Sequence, residues 1–329
     1  MTQTLSMSTL YKKLSPLGLS ESYVRRAGLP SWWNDELNDQ PTAVLEGAGY
    51  IAKRLHLDLR SLLTDDQVVR FKPLPHTKFK YRLQQGSDTP DTSHQLASRV
   101  VELVAYGVQN QFLPIPEDAT QVRAEILQDH PQINLESILS YCWQHGIAVV
   151  YFNDYPASTR KITGLIQWQC GRPAIVLSSS RTHPAWLAFH LAHEVAHLAL
   201  GHIKEGILID DEIDQDSNDQ EEADANSFAV KLLINGFDNC FKYKKIHNSN
   251  RLKNEIIELL QSNPTLDPGV VAFNYAWHTK HYGFSNEAAK NFSPSENGHT
   301  VINQFLEQHL DWEHLSDDNS DHLDCILGD

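Results

Sequence analysis

Residues Thr182–Gly201 read T-H-P-A-W-L-A-F-H-L-A-H-E-V-A-H-L-A-L-G, and their reading decides the rest of the chain. Pro184 suits a first helical turn, where no amide partner is needed. Gly201 suits the position just past the last turn. Between them Trp186, Leu187, Phe189, Leu191, Val195, Leu198 and Leu200 are spread all round the helix, the pattern of a buried helix. The same helix carries His190, His193, Glu194 and His197. Burying an unpaired carboxylate and several imidazoles is expensive, so something must compensate for them.

The spacing says what. His193 and His197 are four apart and sit one above the other on one helical face. Two imidazoles placed so can bind one tetrahedral zinc ion. Glu194 adjoins the first of them, within reach of a water on the metal as general base. This is the H-E-x-x-H arrangement of zinc peptidases. Small apolar runs precede it. Ile147–Phe152, Leu165–Cys170 and Ala174–Leu177 read as strands, with a turn at Gly171-Arg172-Pro173 between the last two. The fold expected is α+β and mostly helical: a zincin-like domain whose small sheet packs on the H-E-x-x-H helix, preceded by an all-helical unit.

A catalytic zinc needs a third protein ligand and one open position. His202 follows His197 by five residues, about 140° round a helix, and cannot join without a bend. His190 lies on the same side as His197 but two turns below, suited to lining a cleft. Downstream, Glu221–Leu233 reads as a second helix. Glu222, Asn226 and Ala229 share a face on it, and a carboxylate from this helix can meet the two histidines. Glu222 and Asp224 are both candidates by chemistry, and they point about 200° apart, so only one can face the metal. The intervening stretch 203–221 holds Glu205, Asp210, Asp211, Glu212, Asp214, Asp216, Asp219 and Glu221. It is expected to be a solvated, mobile loop. The run from Asp214 imitates a calcium loop but lacks its glycine and its final glutamate.

The whole chain has 329 residues and a net charge of -15. That charge is uneven: residues 1–86 hold 12 Lys/Arg against 8 Asp/Glu, and the remainder 15 against 34. The larger part should therefore repel nucleic acid. No run approaches a membrane span, and no apolar leader opens the chain. Four scattered cysteines, Cys142, Cys170, Cys240 and Cys325, suit a reduced cytoplasm and argue against a cysteine metal site.

Residues 1–70 read as short helices over 7–15, 20–27, 30–37, 41–55 and 58–64, resembling a degenerate helix-turn-helix unit. Its would-be recognition helix, Ser31-Trp32-Trp33-Asn34-Asp35-Glu36, offers poor phosphate and base contacts, so packing or partner docking is expected there. Residues 71–93, broken by Pro73, Pro75, Gly86 and Pro90, read as a linker. A peptidase unit is expected over 94–283. Residues 284–329, with Asp311, Glu313, Asp317, Asp318, Asp321, Asp324 and Asp329, read as an acidic tail.

Taken together, G-I-A-V-V-Y, G-L-I-Q-W, P-A-I-V-L-S, F-H-L-A-H-E-V-A-H-L-A-L-G-H and E-A-D-A-N-S-F-A-V-K-L-L, with Asp267–Ala272 further on, resemble the ImmA/IrrE family of cytoplasmic zinc peptidases over roughly residues 94–280. The resemblance implies Zn2+ held by His193, His197 and Glu222, with Glu194 as general base. It implies that Asn226 orients a zinc histidine. Asp224 stands where relatives carry a glutamate. Many relatives have an N-terminal XRE-type helix-turn-helix. The resemblance further implies a protein substrate among DNA-binding repressors or neighbour-encoded partners, in phage, mobile-element or stress-response control. Some relatives belong with toxin–antitoxin modules, and a non-catalytic protein that sequesters its partner is the alternative.

Overall fold

The strands form where β-branched runs meet turn residues. The computed structural model describes residues 5–64, 68–75, 77–80, 92–157, 159, 162–210, 219–237, 239–242, 244–293 and 297–328. Its strands are β1 (Thr77–Lys80), β2 (Ala148–Tyr151), β3 (Gly164–Gln169), β4 (Arg172–Leu177) and β5 (Ile207–Asp210), in the order β1-β5-β3-β4-β2. β3 and β4 form an antiparallel hairpin in which Gln169 faces Arg172. The two residues between, Cys170 and Gly171, both have positive φ, 52° and 77°, as a tight hairpin turn requires. β5 runs antiparallel to β3, and the outer strands β1 and β2 pair parallel to their neighbours.

Alternation along the strands builds two cores, one on each face of the sheet. Val149, Tyr151, Ile166, Ile175, Leu177 and Leu208 point into the first. There they meet helices Leu135–Gln144, Pro184–Ala199, Gln220–Ile234 and Pro268–Thr279. Ala148, Val150, Leu165, Val176, Ile207 and Ile209 point the other way. They are covered by helix Thr92–Tyr106, by the N-terminal helices Met7–Leu14 and Pro41–Arg54, and by Leu306 and Leu323 from near the C-terminal end. The fold is α+β and mostly helical, with 58% of the described residues in helices. No described helix is long and apolar enough to cross a membrane.

Four expectations change on this frame. The stretch 71–93 was expected to be only a linker, but its residues 77–80 form edge strand β1. Proline-rich flanks are compatible with an edge strand, which needs a partner on one side only. Within the expected mobile loop 203–221, residues 207–210 are strand β5, buried throughout. The calcium-like run Asp214–Asn218 lies outside the described residues. The expected acidic tail folds into helices Tyr282–Lys290, Gly298–His309 and Asp317–Leu327. Their apolar residues Ile302, Leu306 and Leu323 are buried, while Glu287, Glu307, Asp317, Asp321 and Asp324 face out. Asp318 anchors the last helix to the N-terminal unit, 2.6 Å from Lys53 Nζ and 2.7 Å from Arg54 Nη2.

Residues 30–37, finally, contain no α-helix, only a single 3-10 turn at Asp35–Leu37. Leu29, preceding Pro30, is extended, as a residue before proline tends to be. Asn34 is extended too, and its side chain accepts from the Glu36 amide at 3.0 Å. Trp33 donates from Nε1 to Asn38 Oδ1 at 3.0 Å. Its ring lies over Gly47, where an added Cβ would come within 2.6 Å of it. This indole is committed to packing, and no described helix occupies the place of a recognition helix.

Candidate metal centre

Two helices and one strand end bring the site together. Helix Pro184–Ala199 starts at His183, whose Nδ1 accepts from the Ala185 amide at 3.2 Å. It presents His193, Glu194 and His197, each with 0% exposure. Helix Gln220–Ile234 starts at Asp219, whose carboxylate accepts from the Glu221 amide at 2.9 Å. Its far end is closed by the buried Arg123, which donates to the carbonyls of Leu232 and Leu233. Small residues, Ala192 and Ala196 on one helix and Ala225 and Ala229 on the other, lie in the common core and let the two backbones approach.

Glu222 in the first turn of the second helix thereby reaches the histidines. Its Oε2 is 3.3 Å from His193 Nε2 and its Oε1 is 3.4 Å from His197 Nε2. The two Nε2 atoms are 3.1 Å apart. Asp224 points outward, exposed, and accepts from Gln220 Nε2 at 2.8 Å. Asn226, one turn after Glu222, places its Oδ1 3.1 Å from His193 Nδ1. Gly201, at φ 70°, supplies the bend that returns His202. Its Nδ1 lies 2.9 Å from His197 Nδ1, so it engages the outer nitrogen of the ring rather than the inner one. His190 is buried between Trp186 and Phe189. Burial first, and then the charges of His193 and Arg181, push it down to about 3, so it is a neutral ring.

The fourth group was not singled out from the sequence. Asp210 ends β5, is 1% exposed, and sets Oδ2 3.6 Å from His193 Nε2 and 3.7 Å from His197 Nε2. The apolar run Ile207-Leu208-Ile209 immediately before it is the signal that could have marked a strand. Donor atoms of His193, His197, Asp210 and Glu222 all lie within 4.8 Å of one another. Burial alone would lower His193, but hydrogen bonds to Asp210 and Glu222 outweigh it and hold the ring near 10. A divalent cation fits this set. Both outer ring nitrogens are engaged, both inner ones face each other, and the carboxylates supply the negative charge that a cation would balance.

Glu194 sits beside this cluster, on the sheet side. It is pushed well above the usual carboxylate range, first by burial and then by the charge of Asp210. Its carboxyl group lies over Gly164 of β3, where an added Cβ would be 2.7 Å from Glu194 Cδ. Glycine is required there by this close approach rather than by its backbone angles. Gly164→Ala should therefore displace the carboxylate and lower any hydrolysis that depends on it by roughly 10²-fold, the usual effect of misplacing a reacting group by about an ångström. Metal content should stay at the wild-type level. Turnover and metal analysis on the same preparation check this, and unchanged turnover would show that the contact does not position Glu194.

Residues 142–255 match a peptidase family model described as the IrrE N-terminal-like domain. The matched region contains β2 to β5, both site helices and all four clustered residues. No curated protein matches the chain.

Proposed function

With an ImmA/IrrE-family peptidase domain over residues 142–255 as its premise, we propose that this protein is a zinc-dependent cytoplasmic endopeptidase that cuts a protein regulator, a DNA-binding repressor or a neighbour-encoded partner. The observation that carries the reading is the convergence of His193, His197 and Glu222 with Glu194 alongside. His193, His197 and Glu222 would hold the zinc, which when bound supplies Lewis acidity toward water and the peptide carbonyl. Asn226 and His202 hold the two imidazoles by their outer nitrogens and fix their orientation. Glu194, buried and raised in pKa, accepts the proton of the attacking water and returns it to the departing amine. The substrate class is supported by charge. From residue 87 onward the chain carries 34 Asp/Glu against 15 Lys/Arg, which favours encounter with the basic surface of a DNA-binding protein.

One observation favours a second reading. A carboxylate from Asp210 beside the three expected ligands resembles a closed, structural metal site, as a protein that only sequesters its partner could have.

The test is co-incubation with DNA-binding regulators encoded near this chain, where such genes exist, followed by intact mass spectrometry. Discrete fragments that vanish with a chelator and return with Zn2+ are expected. A stable complex without fragments under every condition would select the sequestering reading. Metal analysis of protein refilled with Zn2+ should give about one equivalent per chain, and none bound would remove the metal from either reading.

A further inference from the structure

We propose that Asp210 is a fourth protein ligand in the resting metal centre, a latch that occupies the position the reaction needs open. The inference rests on the metal reading of the site given above and adds a regulation to it.

The distances carry it. Four donors at the usual bond lengths of about 2.0–2.1 Å from one ion form a tetrahedron with edges of roughly 3.3–3.4 Å. The two histidine nitrogens are 3.1 Å apart, Glu222 approaches them with different oxygens, Oε2 at 3.3 Å from His193 and Oε1 at 3.4 Å from His197, and the single Oδ2 of Asp210 lies 3.6 and 3.7 Å from the same two nitrogens, with donor atoms of all four residues within 4.8 Å of one another. Asp210 Oδ2 thus stands at the fourth corner, slightly wide of it. A catalytic site keeps that corner for water or substrate.

Sheet register puts the carboxylate there. Asp210 faces Gly164 on β3, and its carbonyl accepts from the Thr163 amide at 2.8 Å. Successive strand residues alternate in direction. Ile209 enters the core shared with the N-terminal unit and Leu208 the core of the metal-bearing helices, so Asp210 must project toward those helices. Its backbone is held on both sides, by β1 and β3, while its side chain has only two torsions. Opening the corner therefore requires rotation of one short side chain, with no movement of the sheet. Such a latch keeps the metal tightly held and unreactive until a bound substrate supplies an oxygen that replaces Oδ2.

Cobalt gives a readout independent of cleavage. The full-length protein is loaded with Co2+, its visible absorption is recorded with and without azide, and its Co2+ affinity is measured against a chelator. Asp210→Ala and the near-isosteric Asp210→Asn are treated alike. Wild type should give an intense four-coordinate spectrum that azide does not change. Asp210→Ala should bind azide with a clear spectral shift and lose affinity by roughly 10- to 100-fold or more, the loss usual for groups supporting a metal site. Asp210→Asn, which keeps the shape but not the charge, should also become azide-sensitive. An azide response in wild type equal to that of the variants, with unchanged affinity in both, overturns the latch while leaving the metal site standing. Failure of wild type to bind Co2+ at all would overturn the metal reading itself, and the latch with it.

Discussion

Glu194→Gln should give a folded protein that holds its metal and cuts its substrate at least roughly 10²–10⁴ times more slowly, the usual contribution of a positioned general base. Glutamine keeps the shape that fills the space over Gly164 but cannot accept a proton. The position is completely buried, and its carboxylate is disfavoured there by desolvation and by the neighbouring charge of Asp210. Replacing it by an amide relieves that repulsion, so thermal stability should be equal to or above wild type. The combination of intact metal content, unchanged or raised Tm and absent fragments distinguishes loss of a base from loss of structure. Cleavage at the wild-type rate would remove Glu194 from the proton transfer.

A contrast of equal size is expected within one turn of the second helix. Glu222→Ala should lower metal affinity by roughly 10²–10⁴-fold, since removing one partner of a buried charged set costs about 3–5 kcal/mol. Asp224→Ala should change it by less than about twofold, because exposed polar contacts contribute little. Both residues are acidic and only two positions apart. Helical phase separates them: Glu222 touches both imidazoles, while Asp224 faces water and Gln220. Chelator competition on the two variants decides the matter. Strong loss with Asp224→Ala and none with Glu222→Ala would mean that the helix sits in a different phase when metal is bound.

What was legible in the sequence was local. Pro184, Gly201 and an apolar stretch bearing His193 and His197 mark a buried helix by neighbouring residues alone. A second helix and its periodicity narrowed the third group to Glu222 or Asp224, and the family resemblance implied Glu222. Asp210 was not legible in this way. It is one acid among many in 203–221; the apolar run Ile207-Leu208-Ile209 can mark a strand there, but only the pairing with Gly164, 46 positions away in the chain, places its carboxylate at the histidines. Strand register is fixed by such distant partners rather than by local pattern. β1 escaped for the same reason, being four residues long and flanked by prolines. In the last third of the chain, abundant acids masked the apolar spacing of Ile302, Leu306 and Leu310. At Trp32-Trp33, helical propensity lost to an indole that packs on Gly47.

The two-faced sheet bears on how the protein can be dissected. A fragment trimmed to the matched residues 142–255 would keep every clustered metal donor yet strip one side of the sheet bare. Val150, Leu165, Val176 and Ile209 would then meet water, and the loss of β1 would leave β5 as a raw strand edge. Exposed apolar faces and unpaired edges invite chains to stick to one another. Helices Met7–Leu14, Pro41–Arg54 and Thr92–Tyr106 are therefore as much a part of the metal-bearing domain's own interior as of any appended module. Recombination that exchanges this N-terminal region for another must supply an equally apolar cover in the same place.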